Sequence, residues 1–89
     1  MTKERLKKYR KYKRQLDNPY GLSSDTKKQL ALEIKEIEEY IKSIDDLETK
    51  SIFEKHFIFG ISYTKLSLQL KCDEKTLRRQ VERYLESRR

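Results

Sequence analysis

The last helical segment of the chain carries charged side chains at spacings that suit contact with a polyanion. With Leu77 set toward a core and 100° per residue, four of them point outward or to the flanks of that face. Lysine and arginine bond guanine O6 and N7, and a glutamate accepts from cytosine N4. The residues predicted to contact DNA bases are therefore Lys75, Arg78, Arg79 and Glu82.

Polar side chains near two expected helix starts suit phosphate oxygens. Ser62 is expected to cap one short helix and Asp73 the next. The first turn of a helix presents free N–H groups and a favourable dipole to an anion. The residues predicted to contact phosphates are Ser62, Tyr63, Thr64, Lys65, Thr76 and Arg83.

These two short helices fit a helix-turn-helix motif. The first has an inner face of Tyr63, Leu66, Ser67 and Leu70. Lys71-Cys72-Asp73 makes a tight turn, and the second helix runs from Glu74 to about Glu86. A three-residue connection is typical of the motif. Ser67 is small where the two helices are expected to cross closely. The segment therefore predicts a recognition helix held at an angle to its predecessor.

Three further helices are expected before this pair. Residues 2–16 contain no helix breaker, and a second helix begins near Ser24 or Asp25 with apolar residues spaced four and three apart. Asp45 with Glu48 resembles a capping box that starts a third helix, which Gly60 ends. The residues of the four-three seam are Leu30, Ile34, Ile37, Ile41 and Ile44.

The fold class is accordingly all-α, with two parts. Residues 1–44 form a helical hairpin or a coiled-coil arm, and residues 45–89 form a three-helix helix-turn-helix domain. The seam serves either an antiparallel hairpin within one chain or a parallel homodimer. Fewer than three heptads is marginal alone, so the seam needs one of these partners.

The charge distribution favours a polyanionic partner. Residues 1–16 carry eight basic and one acidic side chain. Residues 17–50 carry five basic and nine acidic side chains, and residues 51–89 carry nine basic and five acidic ones. The net charge is +7. Two basic ends therefore flank an acidic middle. The basic run from Lys8 to Arg14 suits either flanking phosphates or neutralisation of the acidic second helix.

Other classes of function find little support. One cysteine and one histidine make neither a disulfide nor a zinc site, so we expect no cofactor or metal. His56 lies on an apolar face without a nucleophile or carboxylate beside it, so we expect no enzyme. No apolar run approaches the ~18 residues of a membrane span, and we expect a cytoplasmic protein.

Residues 44–85, IDDLETKSIFEKHFIFGISYTKLSLQLKCDEKTLRRQVERYL, resemble the helix-turn-helix of sigma-factor region 4. There, a helix ending in a Gly-apolar-Ser/Thr link leads into the two helices of the motif. With its charged helical N-terminus, the chain is similar to small phage-encoded regulators of the ArpU/RinA type. The resemblance implies a transcriptional regulator in the bacterial host cytoplasm. Lys71 stands where the motif usually has glycine.

Two hypotheses for function follow. The first is a sequence-specific regulator that binds double-stranded DNA in the major groove, as a monomer or a homodimer. The second is a protein-interaction module, such as an anti-repressor, an antitermination adaptor or a factor that binds RNA polymerase or another protein. A phage terminase small subunit is a third variant, since it also joins such a motif to an oligomerising coiled coil.

Overall fold

The computed structural model describes residues 1–18 and 20–87, and these residues are helical, with no β-strand among them. No helix in that part of the chain has the length and apolar character needed to cross a bilayer. A π-helical turn, Glu54–Ile58, continues the fourth helix. The α-helices are α1 Lys3–Lys7, α2 Tyr9–Asp17, α3 Ser24–Lys42, α4 Leu47–Phe53, α5 Tyr63–Leu70 and α6 Glu74–Ser87.

The basic N-terminal segment forms two helices, so the single helix expected over residues 2–16 was wrong in its continuity. The Thr2 hydroxyl accepts from the Arg5 amide and caps α1. At Lys8 the amide donates to the Arg5 carbonyl, three residues back, which tightens the chain between α1 and α2. Lys8 keeps right-handed helical angles, φ −79° and ψ −10°.

The apolar seam of α3 is buried within the chain. The Ser23 hydroxyl accepts from the Thr26 amide and starts this helix one residue before the two predicted caps. α2 packs against α3, and Arg5 of α1 binds the carboxylates of Glu33 and Glu36 at 3.0 and 2.6 Å. Buried residues of the seam are Leu30, Ile34, Ile37, Ile41 and Ile44.

The cap of α4 is Asp46, so the capping box expected at Asp45 and Glu48 was displaced by one residue. The Asp46 carboxylate accepts from the Thr49 amide at 3.2 Å and from the Thr49 hydroxyl at 2.5 Å. These two bonds are available only to the aspartate three residues before Thr49, which explains the shift. They also lower the pKa of Asp46.

The helix that begins at Leu47 ends at Gly60 as expected. Gly60 has a φ of +71°, in the left-handed region that glycine adopts without steric cost. The Ile61 amide donates to the Lys55 carbonyl at 2.9 Å across this turn. The link from Gly60 to Ser62 then leads directly into α5.

An aromatic cluster centres on Phe53, whose side chain is fully buried. Its ring lies 5.4 Å from the ring centroids of Phe57 and Tyr84 and 6.5 Å from that of Tyr40. These rings come from α3, the α4 segment and α6, and the buried cluster also includes Leu6 of α1. The core therefore draws residues from both halves of the chain.

Candidate nucleic-acid interface

A left-handed residue makes the turn between α5 and α6. Lys71 has φ +55° and ψ +38°, and it is the only non-glycine with a positive φ among the described residues. The Cys72 amide donates to the Ser67 carbonyl at 3.1 Å, closing the end of α5. α6 begins at Glu74 and packs against both α5 and α4. The connection is therefore the three residues Lys71 to Asp73.

Ser67 is not fully buried between α5 and α6. Its side chain is partly exposed, and its hydroxyl donates to the Thr64 carbonyl in its own helix at 2.7 Å. Leu66 beside it is fully buried. A small residue at this position is compatible with the packing of α5 on α6, but its hydroxyl is satisfied locally.

The outward face of α6 carries the side chains predicted to contact bases. Leu77 and Val81 are buried on the opposite face, which sets the orientation of the helix. The exposed residues are Lys75, Arg78, Arg79 and Glu82, and with them Thr76 and Arg83. α6 thus presents a mostly basic surface to solvent.

Arg78 is held beside the start of α5. Its guanidinium carbon lies 5.4 Å from the centroid of the Tyr63 ring, and its Nη2 lies 3.4 Å from the Glu74 carboxylate one turn earlier. Its side chain is still 58% exposed. Both contacts are weak at such exposure, about 0.3–1 kcal/mol each. Arg78 is therefore oriented by its neighbours and remains accessible to a ligand.

Arg79 and Arg83 border an open cleft between α6 and the start of α4. Asp46 and Thr49 form the other wall. The Gln80 amide donates to the Thr49 hydroxyl at 3.0 Å and joins the two helices. Arg79 and Arg78 consequently point to different sides of α6, one toward α4 and one toward α5.

Glu82 forms an ion pair with Lys3, close to the N-terminus of the chain. Its carboxylate lies 3.5 Å from the ammonium of Lys3, and its side chain is 55% exposed. An exposed pair of this kind contributes about 0–1 kcal/mol and exchanges readily. Lys3 was not among the residues predicted from the sequence to have a role. The available signal was its spacing from Lys7, Arg10 and Arg14, which places all four on one flank of the N-terminal helices.

Three of the six residues predicted to contact phosphates, Ser62, Thr64 and Lys65, are exposed around the start of α5. Ser62 accepts from the Lys65 amide at 3.2 Å and caps the helix. Its hydroxyl therefore already has a partner within the fold. Thr64 and Lys65 project into solvent.

Tyr63 is the exception, because its side chain is buried on the inner face of α5. The residue is 8% exposed, and its hydroxyl is buried without a hydrogen-bond partner. Burial raises the pKa of this hydroxyl, opposed by the nearby charge of Arg78. The ring stacks on His56 at 3.9 Å and 17°. Tyr63 therefore supports Arg78 from within and is inaccessible to a ligand.

His56 is fixed in this stack by a hydrogen bond to the backbone. Its Nδ1 lies 2.8 Å from the Ile61 carbonyl oxygen, which requires Nδ1 to carry a proton and donate. Burial lowers its pKa, and the charges of Lys3, Lys7 and Arg78 lower it further. His56 is thus a structural residue that joins the α4 segment to α5.

No protein-family model matches the chain, and neither a curated protein nor a solved structure matches it. The resemblance to sigma-factor region 4 accordingly stays a prediction.

Proposed function

We propose that this protein is a sequence-specific regulator that binds double-stranded DNA, with α5 and α6 as a helix-turn-helix and α6 in the major groove. The observation that carries the proposal is the outward face of α6, where Lys75, Arg78 and Arg79 are exposed on a helix fixed by two neighbours. An α-helix with such a face fits the major groove, and its arginines match guanine edges.

The start of α5 supports the same arrangement. Arg78 rests on the ring of Tyr63, and Tyr63 shares the start of α5 with the exposed residues Ser62, Thr64 and Lys65. Contacts to phosphates fix the register of a protein on the duplex, while contacts to bases select the sequence. We assign the start of α5, with Thr76 and Arg83, to phosphates and the outward face of α6 to bases.

Selection of bound duplexes from a random-sequence library tests this function. We expect the wild-type protein to enrich one motif and the Arg78→Ala, Arg79→Ala variant to lose it. Because Arg78 also packs on Tyr63, Arg79→Ala alone is the cleaner variant. The Lys27→Ala, Lys28→Ala variant removes the same charge from exposed positions of α3 and should recover the wild-type motif.

The outcomes separate the alternatives. Enrichment that survives loss of Arg78 and Arg79 would remove α6 as the reading helix. No enrichment from a protein that melts cooperatively would remove sequence-specific binding. A palindromic motif would indicate a homodimer, and light scattering would reveal the ring-sized oligomer of a terminase small subunit.

A second candidate function is a protein-interaction module, for which exposed apolar side chains are the specific observation. Leu68 of α5 is 76% exposed and Phe59 before the link is 67% exposed, whereas Ile61 is partly buried against the core. An anti-repressor, an antitermination adaptor or a factor that binds RNA polymerase would use such side chains. Loss of a protein complex in a Leu68→Ser, Phe59→Ser variant, with DNA selection unchanged, would favour it.

A further inference from the structure

The N-terminal helices α1 and α2 have two chemically different flanks. With Leu6 set toward the core and 100° per residue, Arg5, Tyr12 and Leu16 fall at about 240–280°. On the opposite flank, at about 40–100°, lie Lys3, Lys7, Arg10 and Arg14, which we call the basic stripe. The contacts of Lys3 in α1 and Arg10 in α2 place both residues on this flank.

The flank with Arg5, Tyr12 and Leu16 faces α3, and carboxylates of α3 neutralise the charge of Arg5 there. Arg5 binds both Glu33 and Glu36, and these two carboxylates raise its pKa. Tyr12 and Leu16 pack against the core on the same side. Two carboxylates of the acidic middle of the chain therefore have a basic partner in Arg5, on the flank away from the basic stripe.

The basic stripe faces the link before α5 and the side of α6. Lys3 reaches Glu82 of α6 at 3.5 Å. The guanidinium of Arg10 lies against Gly60, where it occupies the space that a Cβ would take. Arg14 borders a groove with Ile58 and Phe59 at the end of the π-helical turn. The stripe thus runs beside the elements that lead into α5.

The stripe also converges on Arg78. The charges of Lys3 and Lys7 act on His56 together with that of Arg78, and His56 stacks on the Tyr63 ring that supports Arg78. The charges of Lys3 and Lys7 on α1 and of Arg78 on α6 thus all lower the pKa of the same side chain. None of the ion pairs in the described part of the chain involves Lys7, Arg10 or Arg14.

We propose that the basic stripe is a second track for the sugar–phosphate backbone of duplex DNA, beside the segment that α6 reads. The inference rests on the proposed function and extends its footprint to the N-terminal helices. From Lys3 to Arg14 the stripe is about 16 Å long at 1.5 Å per residue. A duplex carries about nine charges over that length, enough to engage each unpaired cation of the stripe.

The salt dependence of binding tests the stripe. In the variant Lys7→Gln, Arg10→Gln, Arg14→Gln, Lys3 is kept so that its pair with Glu82 is unchanged. The matched control is Lys27→Gln, Lys28→Gln, Lys42→Gln, which removes three exposed charges from α3. Affinity for one duplex is measured by fluorescence anisotropy between about 50 and 200 mM salt, the range over which phosphate contacts dominate. Thermal unfolding of each variant confirms that it is folded.

Loss of three phosphate contacts should reduce the slope of log affinity against log salt by about 2.7. The control should keep the wild-type slope. The preference for a selected sequence over a scrambled one should stay the same in both variants, since phosphate contacts carry no sequence information.

Equal slopes in the stripe variant and the wild type would overturn the inference, as would equal reductions in the variant and its control. Both results leave the function of α6 intact if the wild type still prefers one sequence. Conversely, a wild type without any preference, whose slope still falls in the stripe variant, would retain the stripe and remove the proposed regulator. A wild type that binds no duplex at all would overturn both.

Discussion

The left-handed backbone at Lys71 stores strain that glycine would release. A residue with a Cβ pays roughly 1–2 kcal/mol in this conformation, whereas glycine adopts it freely. Glycine also costs about 0.4–1 kcal/mol through the greater freedom of the unfolded chain. The difference leaves Lys71→Gly more stable than the wild type by about 0.5–1 kcal/mol. For a domain of this size, that corresponds to a rise in Tm of about 2–8 °C.

Thermal and urea unfolding followed by circular dichroism measure this difference. Lys71→Ala is the matched control, because it removes the same charge and keeps the strained φ of +55°. We expect the alanine variant within about 0.5 kcal/mol of the wild type. Equal stabilities of the glycine and alanine variants, or a less stable glycine variant, would refute the assignment of strain to Lys71.

Three further predictions follow from contacts in the core and the links. Gly60→Ala should destabilise the protein by about 1 kcal/mol or more, because its φ is +71° and the new Cβ displaces the Arg10 guanidinium. Gly21→Ala, with φ +77° and open space around it, should cost less in the same thermal melts, and equal losses would contradict a role for Arg10. Phe53→Ala should cost about 3–5 kcal/mol, whereas Phe59→Ala, at an exposed position, should change urea unfolding by about 0.5 kcal/mol or less. Because the fold lowers the pKa of His56, the unfolded chain binds more protons near pH 6, so stability should fall as the pH drops below about 6.5. His56→Gln should weaken the dependence of stability on pH between pH 7.5 and 5.5. An unchanged dependence in this variant would contradict a contribution from His56.

Periodicity was sufficient to predict which side chains of the longer helices are buried. The four-three seam from Leu30 to Ile44 is buried. Of the inner face expected for α6, Leu77, Val81 and Leu85 are buried and Tyr84 is partly buried. Caps with a single candidate, such as Ser62 and Gly60, were also predicted correctly. Helical periodicity selects the buried positions, and the geometry of a cap selects the residue at a helix end. Both depend only on neighbouring residues, so they can be predicted without knowledge of the rest of the fold.

Features that depend on contacts between distant segments were not predictable in the same way. Asp45 and Asp46 are chemically equal, and the hydroxyl of Thr49 decides between them. Tyr63 was predicted on the inner face of α5 and also at a phosphate, and its burial agrees with the first prediction, while its stacking partner His56 could not be foreseen. The π-helical turn Glu54–Ile58 has no breaker in its sequence. The placement of Lys3 on Glu82 joins residues at opposite ends of the chain.

Probing of guanine N7 with dimethyl sulfate tests the placement of α6 in the major groove most directly. The measurement uses a duplex selected by the wild-type protein, with Arg79→Ala as the comparison. We predict that the wild type protects at least one guanine N7 within the motif and that the variant leaves it reactive, because arginine bonds N7 and O6 from the major groove. Full reactivity of every guanine N7 in a saturated complex, with sequence preference retained, would contradict reading by α6.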